Sequence, residues 1–317
     1  MQVEGATARP GSLQRQLRKE RSALADLHLF ALAGAPTAAV GVPLAVVLLV
    51  LLAAILHATW NAIAKALDQA TAFWLIAVVE TVWGAIVLAF ARPPAAASWS
   101  LLSLSIALEL AYNVFLLNAY RFGDLGEVYP LARGMAPLLV ALAASLFLGE
   151  ALSRLQILGL ALVAGGLISL VSLGRRQDGR DPRSLGYALF TGLTISAYSF
   201  VDGVGVRHSP FGYAGVLFAV QGLCTAVGLY LWRGKALWQQ SRRSLALGAL
   251  GGILSPTAYT IVLWAQTQTH LAIVSALRET GVLFAALIGA LFLRERFGAR
   301  RILAAAVVTV GVLLLVG

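Results

Sequence analysis

Charge is what this sequence has least of. Only 12% of its 317 residues are charged, while 59% are apolar. A soluble domain carries about 25% charged residues to cover its surface, so that class is excluded. Cysteine occurs once, at Cys224, which rules out an internal disulfide and a cysteine-based metal cage. The four histidines, His28, His57, His208 and His270, show no ligand spacing, so neither a metal nor a cofactor is expected. HExxH, GxSxG, paired intramembrane aspartates and a phosphate-binding glycine loop are all missing, which argues against an enzyme. Repeated carboxylate or carbonyl rings of the kind that line a passive channel are missing too.

What the chain does have is apolar runs near twenty residues long, and a mean hydropathy of +0.83. Each run is long enough to cross a hydrocarbon core of roughly 30 Å as a helix. Ten are predicted, at about 44–66, 72–91, 99–120, 127–149, 155–173, 185–206, 212–232, 245–267, 272–293 and 302–316. The expected class is therefore an all-α integral membrane protein whose principal partner is the lipid bilayer. The net charge of +10 does not mark a nucleic-acid partner. Its basic residues sit in short clusters between the runs, such as Arg175 with Arg176, Arg242 with Arg243, and Arg300 with Arg301.

Residues 1–43 read as a mobile basic tail, broken by Pro36 and Pro43; an extra span at about 24–42 is the alternative. Orientation signals conflict. The basic tail asks for a cytosolic start, but the Arg-rich loops after the fifth, seventh and ninth spans lie closer to the membrane and weigh more. Both ends are then expected to face outward, unless the extra span exists.

The polar insert "RRQDGRDPRS" divides the spans into five and five: 44–173 and 185–317, with a linker at 174–184. A shift of 145 residues sets Arg133 on Arg278 and Glu150 on Glu295. Tyr112 and Tyr259 correspond once a two-residue gap is allowed. An odd number of spans per copy makes the second copy insert upside down. Such inverted repeats can exchange conformations and open a central site alternately to each side, the mechanics of a transporter of small molecules.

Two segments, "YPLARGMAPLLVALAASLFLGEALSRLQILGLALVAGG" and "ALRETGVLFAALIGALFLRERFGARRILAAAVVTVGVLLL", resemble the paired repeats of EamA-like members of the drug/metabolite transporter superfamily. The "HATWN" of the first span is similar to that of bacterial members. The resemblance covers about 44–316. It implies ten transmembrane helices, as two inverted five-helix repeats, around a cavity lined by the first, third, fourth, sixth, eighth and ninth helices.

Helical geometry sharpens the site. His57, Asn61 and Lys65 fall within about 80° of one another, with Trp60 beside them, so one face of the first span is polar. On the third span Ser105, Glu109, Tyr112, Asn113 and Tyr120 form a stripe. Glu109 at mid-depth costs roughly 3 kcal/mol unless it meets water or a partner, for which Arg133 is a candidate. Tyr129 and Arg133 lie one turn apart ahead of Pro137. Tyr198 and Asp202 do the same on the sixth span; Ser255, Tyr259 and Gln266 share a face of the eighth. Arg278 and Glu279, being adjacent on a helix, are expected to find different partners. Glu80 and Gln221 sit at matching places of the second and seventh spans and suggest a packing role. The alternatives involve no ligand: an interhelical hydrogen bond for Asn61, snorkelling for Lys65, an ion pair for Glu109, structural pairing for Arg133 and Arg278, and a place near the membrane surface for Arg278 and Glu279.

Substrate binding is thus assigned to Trp60, Asn61, Glu109, Tyr112, Asn113, Tyr129, Arg133, Tyr198, Asp202, Tyr259, Gln266, Arg278 and Glu279. His57, Glu80 and Glu109 are the candidates for proton coupling. The small-residue stripes Gly281–Ala285–Gly289 and Ala161–Gly165 read as packing surfaces, and the fifth and tenth spans as outer helices. The expected protein is an exporter of a small polar or zwitterionic, amino-acid-like metabolite in a bacterial-type inner membrane, with a broad-specificity drug or cation exporter as the alternative and an intramembrane enzyme behind it.

Overall fold

The computed structural model describes residues 42–122, 125–169, 182–292 and 299–317. The proposed tail up to residue 41, most of the linker and Glu295 lie outside the described residues. Eleven α-helices are described: α1 Leu44–Ala66, α2 Gln69–Phe90, α3 Ser98–Phe122, α4 Leu125–Leu148, α5 Arg154–Ser169, α6 Pro182–Gly205, α7 Pro210–Arg233, α8 Arg242–Ala265, α9 Leu271–Glu279, α10 Gly281–Phe292 and α11 Ala299–Val316. A short 3₁₀ turn, Gly234–Trp238, follows α7.

Local chemistry sets the ends. Asp68 accepts the Thr71 N–H and hydroxyl at 3.1 Å and caps α2. Ser241 Oγ accepts the Ser244 N–H at 3.1 Å and caps α8. Pro210 opens α7, where its missing N–H costs nothing. Gly149, at φ +67°, turns the chain out of α4, and the Glu150 N–H closes the turn on the Ala144 carbonyl. Nine of the ten expected spans are single helices. The ninth is not: Thr280 interrupts it and leaves α9 and α10.

Among the described residues, seven helices are long and apolar enough to cross a membrane, and α5 and α11 are shorter apolar helices. The chain is built inside out. Phe90, Leu146 and Leu231 stand exposed at 89%, 70% and 78%, while Asp202, Glu279, Arg133 and Glu109 are buried. In water that distribution would aggregate; in lipid it places apolar side chains against acyl chains and polar ones in the interior.

The two halves interleave. α2 packs chiefly on α7, α3 on α6, α1 on α8 and α5 on α11, each pair joining one half to the other. The pattern persists when the helices are exchanged five for five: α3–α6 becomes α8–α1, and α4–α6 becomes the contact of α9 and α10 with α1. The crossings repeat in detail. Gly159 on α5 meets the Gly311 backbone of α11, and Gly166 meets Ala304; a shift of 145 residues turns one contact into the other. On α2 and α7, Gly84 lies against Gly215 and Ala219, and Gly222 against Ala77 and Thr81, a shift of 138 residues. That register pairs Glu80 with Phe218, so the expected match of Glu80 to Gln221 is a turn out. A Cβ at Gly159 or Gly84 would come within 2.6 Å of backbone on its partner, so glycine is required for the approach. The close approach on α5 uses Gly159 and Gly166, not the expected Ala161 and Gly165; Gly165 has nothing within 4 Å.

Candidate functional site

A cavity of about 100 Å³ lies between the halves. α1 brings His57 and Trp60 to it, α3 brings Glu109, Tyr112 and Asn113, α4 brings Arg133, α6 Tyr198, and α8 Ser255 and Tyr259. The rest comes from helices the resemblance did not place there. α2 supplies Phe73, Ile76, Ala77 and Glu80, and α7 supplies Phe218, Gln221 and Thr225, seven of the sixteen lining residues. The ninth segment, expected at the wall, contributes none of them. It acts one layer back.

Behind the wall lies an ionic network. Arg133 Nη1 donates to both oxygens of Glu279, at 3.3 and 3.4 Å. Arg278 donates to Glu279 Oε1 through Nε and Nη2, each at 3.3 Å, and to Ser199 Oγ at 3.3 Å. Two sequence expectations are corrected here. Arg133 pairs with Glu279 rather than with Glu109, because the chain crossing α4 is α9. Arg278 and Glu279 do face each other, since Glu279 ends α9 and the rule against adjacent pairs holds within a regular helix surface.

Arg133 Nη2 also lies 2.6 Å from His57 Nε2, and Trp60 Nε1 donates to His57 Nδ1 at 3.2 Å. A neutral imidazole has one acceptor nitrogen and an imidazolium none. The ring can therefore accept from only one of these donors at a time, and from neither once protonated.

The cavity also carries two carboxylates, Glu80 and Glu109. Ser255 donates to Glu80 Oε1 at 2.7 Å across the α2–α8 contact. Asp202 does not line the cavity: Tyr213 and Tyr259 donate to its two oxygens at 2.8 and 2.6 Å, which leaves it fully buried beside the wall. Tyr198 stands edge-on between Tyr112 and Tyr259, with ring centroids 5.9 and 6.2 Å away, so one aromatic row joins α3, α6 and α8. Arg278 lies 6.0 Å over the Tyr259 ring and ties that row to the ionic network.

Two assigned residues bond to backbone instead. Asn61 donates to the His57 carbonyl of its own helix at 2.8 Å, and Gln266, at the end of α8, donates to the Ser199 carbonyl at 3.3 Å. Neither lines the cavity. The side chains of Tyr129, Tyr120 and Lys65 lie outside the described set. Phe73, Phe218 and Thr225 were missed because an apolar or hydroxyl residue in an apolar helix carries no sequence signal for a wall over lipid.

A second buried polar cluster sits outside the apolar spans, where α4 and α6 end and α9 begins. Glu150 Oε2 accepts the Leu271 N–H at 3.1 Å, capping α9, while Arg207 Nη2 lies 3.9 Å from Glu150 Oε1. Burial pushes the Glu150 carboxyl up to about 7 and outweighs both partners. It also lowers His270, which precedes α9.

Known proteins agree with this architecture. Residues 183–317 match the model of the EamA-like transporter family, the family the repeats resembled. A solved crystal structure aligns with 85% of this chain and 94% of its own, with a TM-score of 0.67 and 18% identity, a likeness of fold alone. No curated protein matches.

Proposed function

We propose, for a multi-pass membrane protein whose second half belongs to the EamA-like transporter family, a carrier that moves a small zwitterionic metabolite by alternating access. The observation that carries this reading is a cavity between two interleaved halves, lined by Arg133 together with Glu80 and Glu109. Charges of both signs suit an ammonium and a carboxylate on one molecule. The contacts conserved on five-for-five exchange support two inverted repeats of five crossings, with α9 and α10 together forming the ninth. Export across a bacterial-type inner membrane is part of the proposal.

Protons couple through His57. A proton there removes the acceptor that Arg133 meets, so the arginine turns to the cavity and the substrate carboxylate. Glu80 and Glu109 are the other proton carriers on the path.

Two measurements test this. In proteoliposomes, an imposed pH gradient is expected to drive at least one amino acid across the membrane; the absence of movement for all of them removes the zwitterion. A cysteine placed at Asn113 is expected to react with a charged thiol reagent from either face, with substrate shifting the balance. Reaction from one face under every condition removes alternating access.

A second reading draws on the aromatic lining. Trp60, Tyr112, Tyr198 and Tyr259 around two carboxylates also suit an amphiphilic cation. Resistance to quaternary ammonium compounds, lost in Glu109→Gln, favours that reading.

A further inference from the structure

α9 enters the fold as a plug. All nine of its residues are buried, and its first side chain, Leu271, seats in a notch made by two other helices. Val140, Ala144 and Leu148, one turn apart on α4, face it together with Phe200 of α6. Beneath it lies Gly203 of α6, where an added Cβ would stand 2.6 Å from Leu271 Cδ2, so a side chain there would displace the leucine. The packing continues along α6 in both directions. Toward the cavity, Ser199 takes Gln266 on its carbonyl and Arg278 on its hydroxyl, and Tyr198 then lines the chamber beside Tyr259. Toward the membrane surface, Ser98 donates to the Gly205 carbonyl and Ser209 to the Arg92 carbonyl, each at 2.8 Å. These bonds tie the start of α3 to the end of α6, and the start of α7 to the end of α2. Outermost on α4, Glu150 accepts the Leu271 N–H at 3.1 Å, with Arg207 3.9 Å away. A helix cannot satisfy its own first N–H groups, and the side chain of His270, at the cap position of α9, makes no such bond. The cap therefore comes from the other half of the chain. About 13 Å further on, α9 ends in Arg278 and Glu279, behind the cavity wall.

We propose that the Glu150 cap on α9 is a latch, which holds the cavity shut toward the face where α4 and α6 end. This rests on the carrier reading above and names the contact that must part when that face opens. Glu150 and Leu271 belong to opposite halves. A movement of one half against the other at this face breaks their hydrogen bond and draws Leu271 off Gly203. The ionic network stands at the far end of the same short helix, so a change at the cavity wall reaches the latch through α9.

The test is the rate at which a charged, membrane-impermeant thiol reagent reaches Asn113→Cys from each face of sealed membrane vesicles. The parent is the full-length chain with Cys224→Ser. A separate variant, Ala97→Cys, marks the latch face, because Ala97 is exposed on the loop before α3. The parent is expected to react chiefly from the opposite face. Glu150→Ala is expected to raise the rate from the latch face at least about tenfold, the weight of one hydrogen bond to a charged group. Glu150→Gln keeps an acceptor for the Leu271 N–H and is expected to stay near the parent. An unchanged rate in Glu150→Ala, or an equal gain in Glu150→Gln, overturns the proposal. Should Glu150→Ala yield no folded protein, Glu150→Asp decides, since it keeps the charge and withdraws the acceptor by one methylene. It is expected to gain reaction from the same face, and no gain overturns the proposal. A parent whose reactive face changes with substrate, while Glu150→Ala alters neither rate, defeats the latch and leaves the carrier standing. A parent that reacts from one face under every condition removes the carrier, even where Glu150→Ala opens the other.

Discussion

α4 and the α9–α10 segment begin from one pattern, an arginine followed seventeen residues later by a glutamate, and they end as different objects. α4 runs through to Leu148, whereas its counterpart stops at Glu279 and starts again at Gly281. The difference is local chemistry. The Thr280 N–H and hydroxyl both turn to the Leu277 carbonyl, at 3.2 and 2.7 Å, and the Leu283 N–H meets the Thr280 carbonyl at 2.9 Å. These three-residue closures tighten the chain and end the regular ladder. The matched residue in α4 is Met135, which has no hydroxyl to compete. The halves differ again in charge. The first supplies the carboxylates of the wall, Glu80 and Glu109. The second has Phe218 and Pro256 in the matched places, and keeps its own acids, Asp202 and Glu279, behind the wall. Symmetry here governs where the backbones go, and asymmetry governs which charges line the cavity.

Substitutions can break that contrast. The largest effect is expected from Arg133→Ala, which removes the one cation among the described lining residues and one of the two arginines that bond Glu279. Breaking a buried pair costs about 3–5 kcal/mol, so transport should vanish and the melting temperature in detergent should fall well below that of wild type. Next comes the α5–α11 crossing. Gly159→Leu should cost about 1–3 kcal/mol, because its Cβ meets the Gly311 carbonyl at 2.6 Å, whereas Gly165→Leu should leave melting unchanged. Equal melting of the two variants would show that the crossing is not tight.

A smaller effect, read through pH, concerns Glu150. Its carboxyl is raised to about 7 from the ordinary 4.5, so between those values the folded chain holds a proton that the unfolded chain releases. Stability is therefore expected to fall as pH rises through that window, and the slope should flatten in Glu150→Gln. A slope unchanged in the variant would assign the dependence elsewhere. The smallest effect is expected from Val282→Pro, which copies Pro137 into the second half. Val282 lies in the first turn of α10, where a proline is tolerated, so melting should move by less than about 1 kcal/mol in stability. A large loss would mean that α9 and α10 act as one continuous helix.

Much of the architecture was legible in the residues. Apolar runs separated by arginine clusters located the helices, and the shift that sets Arg133 on Arg278 is the one that exchanges the Gly159–Gly311 and Gly166–Ala304 contacts. The gathering of His57, Trp60, Glu109, Tyr112, Arg133, Tyr198 and Tyr259 followed from helical angle, because a polar face within an apolar helix has few places to turn. Three things were hidden. The partner of Arg133 depends on which helix crosses α4, and no local pattern encodes that. The break at Thr280 turns on one hydroxyl, and threonine is common within helices that do not break. The contribution of α2 and α7 was masked by composition, since Phe73 and Phe218 look the same whether they face lipid or ligand.

The only thiol in the chain, Cys224, lies exposed on the outer side of α7, flanked by the exposed Leu223 and Val227. Gln221 and Thr225, its neighbours on that helix, look inward to the cavity. A membrane-permeant fluorophore on this sulfur would mark each molecule once, without mutagenesis and without touching the binding chamber. It would report from the lipid side how the helix that carries part of the wall shifts when cargo binds.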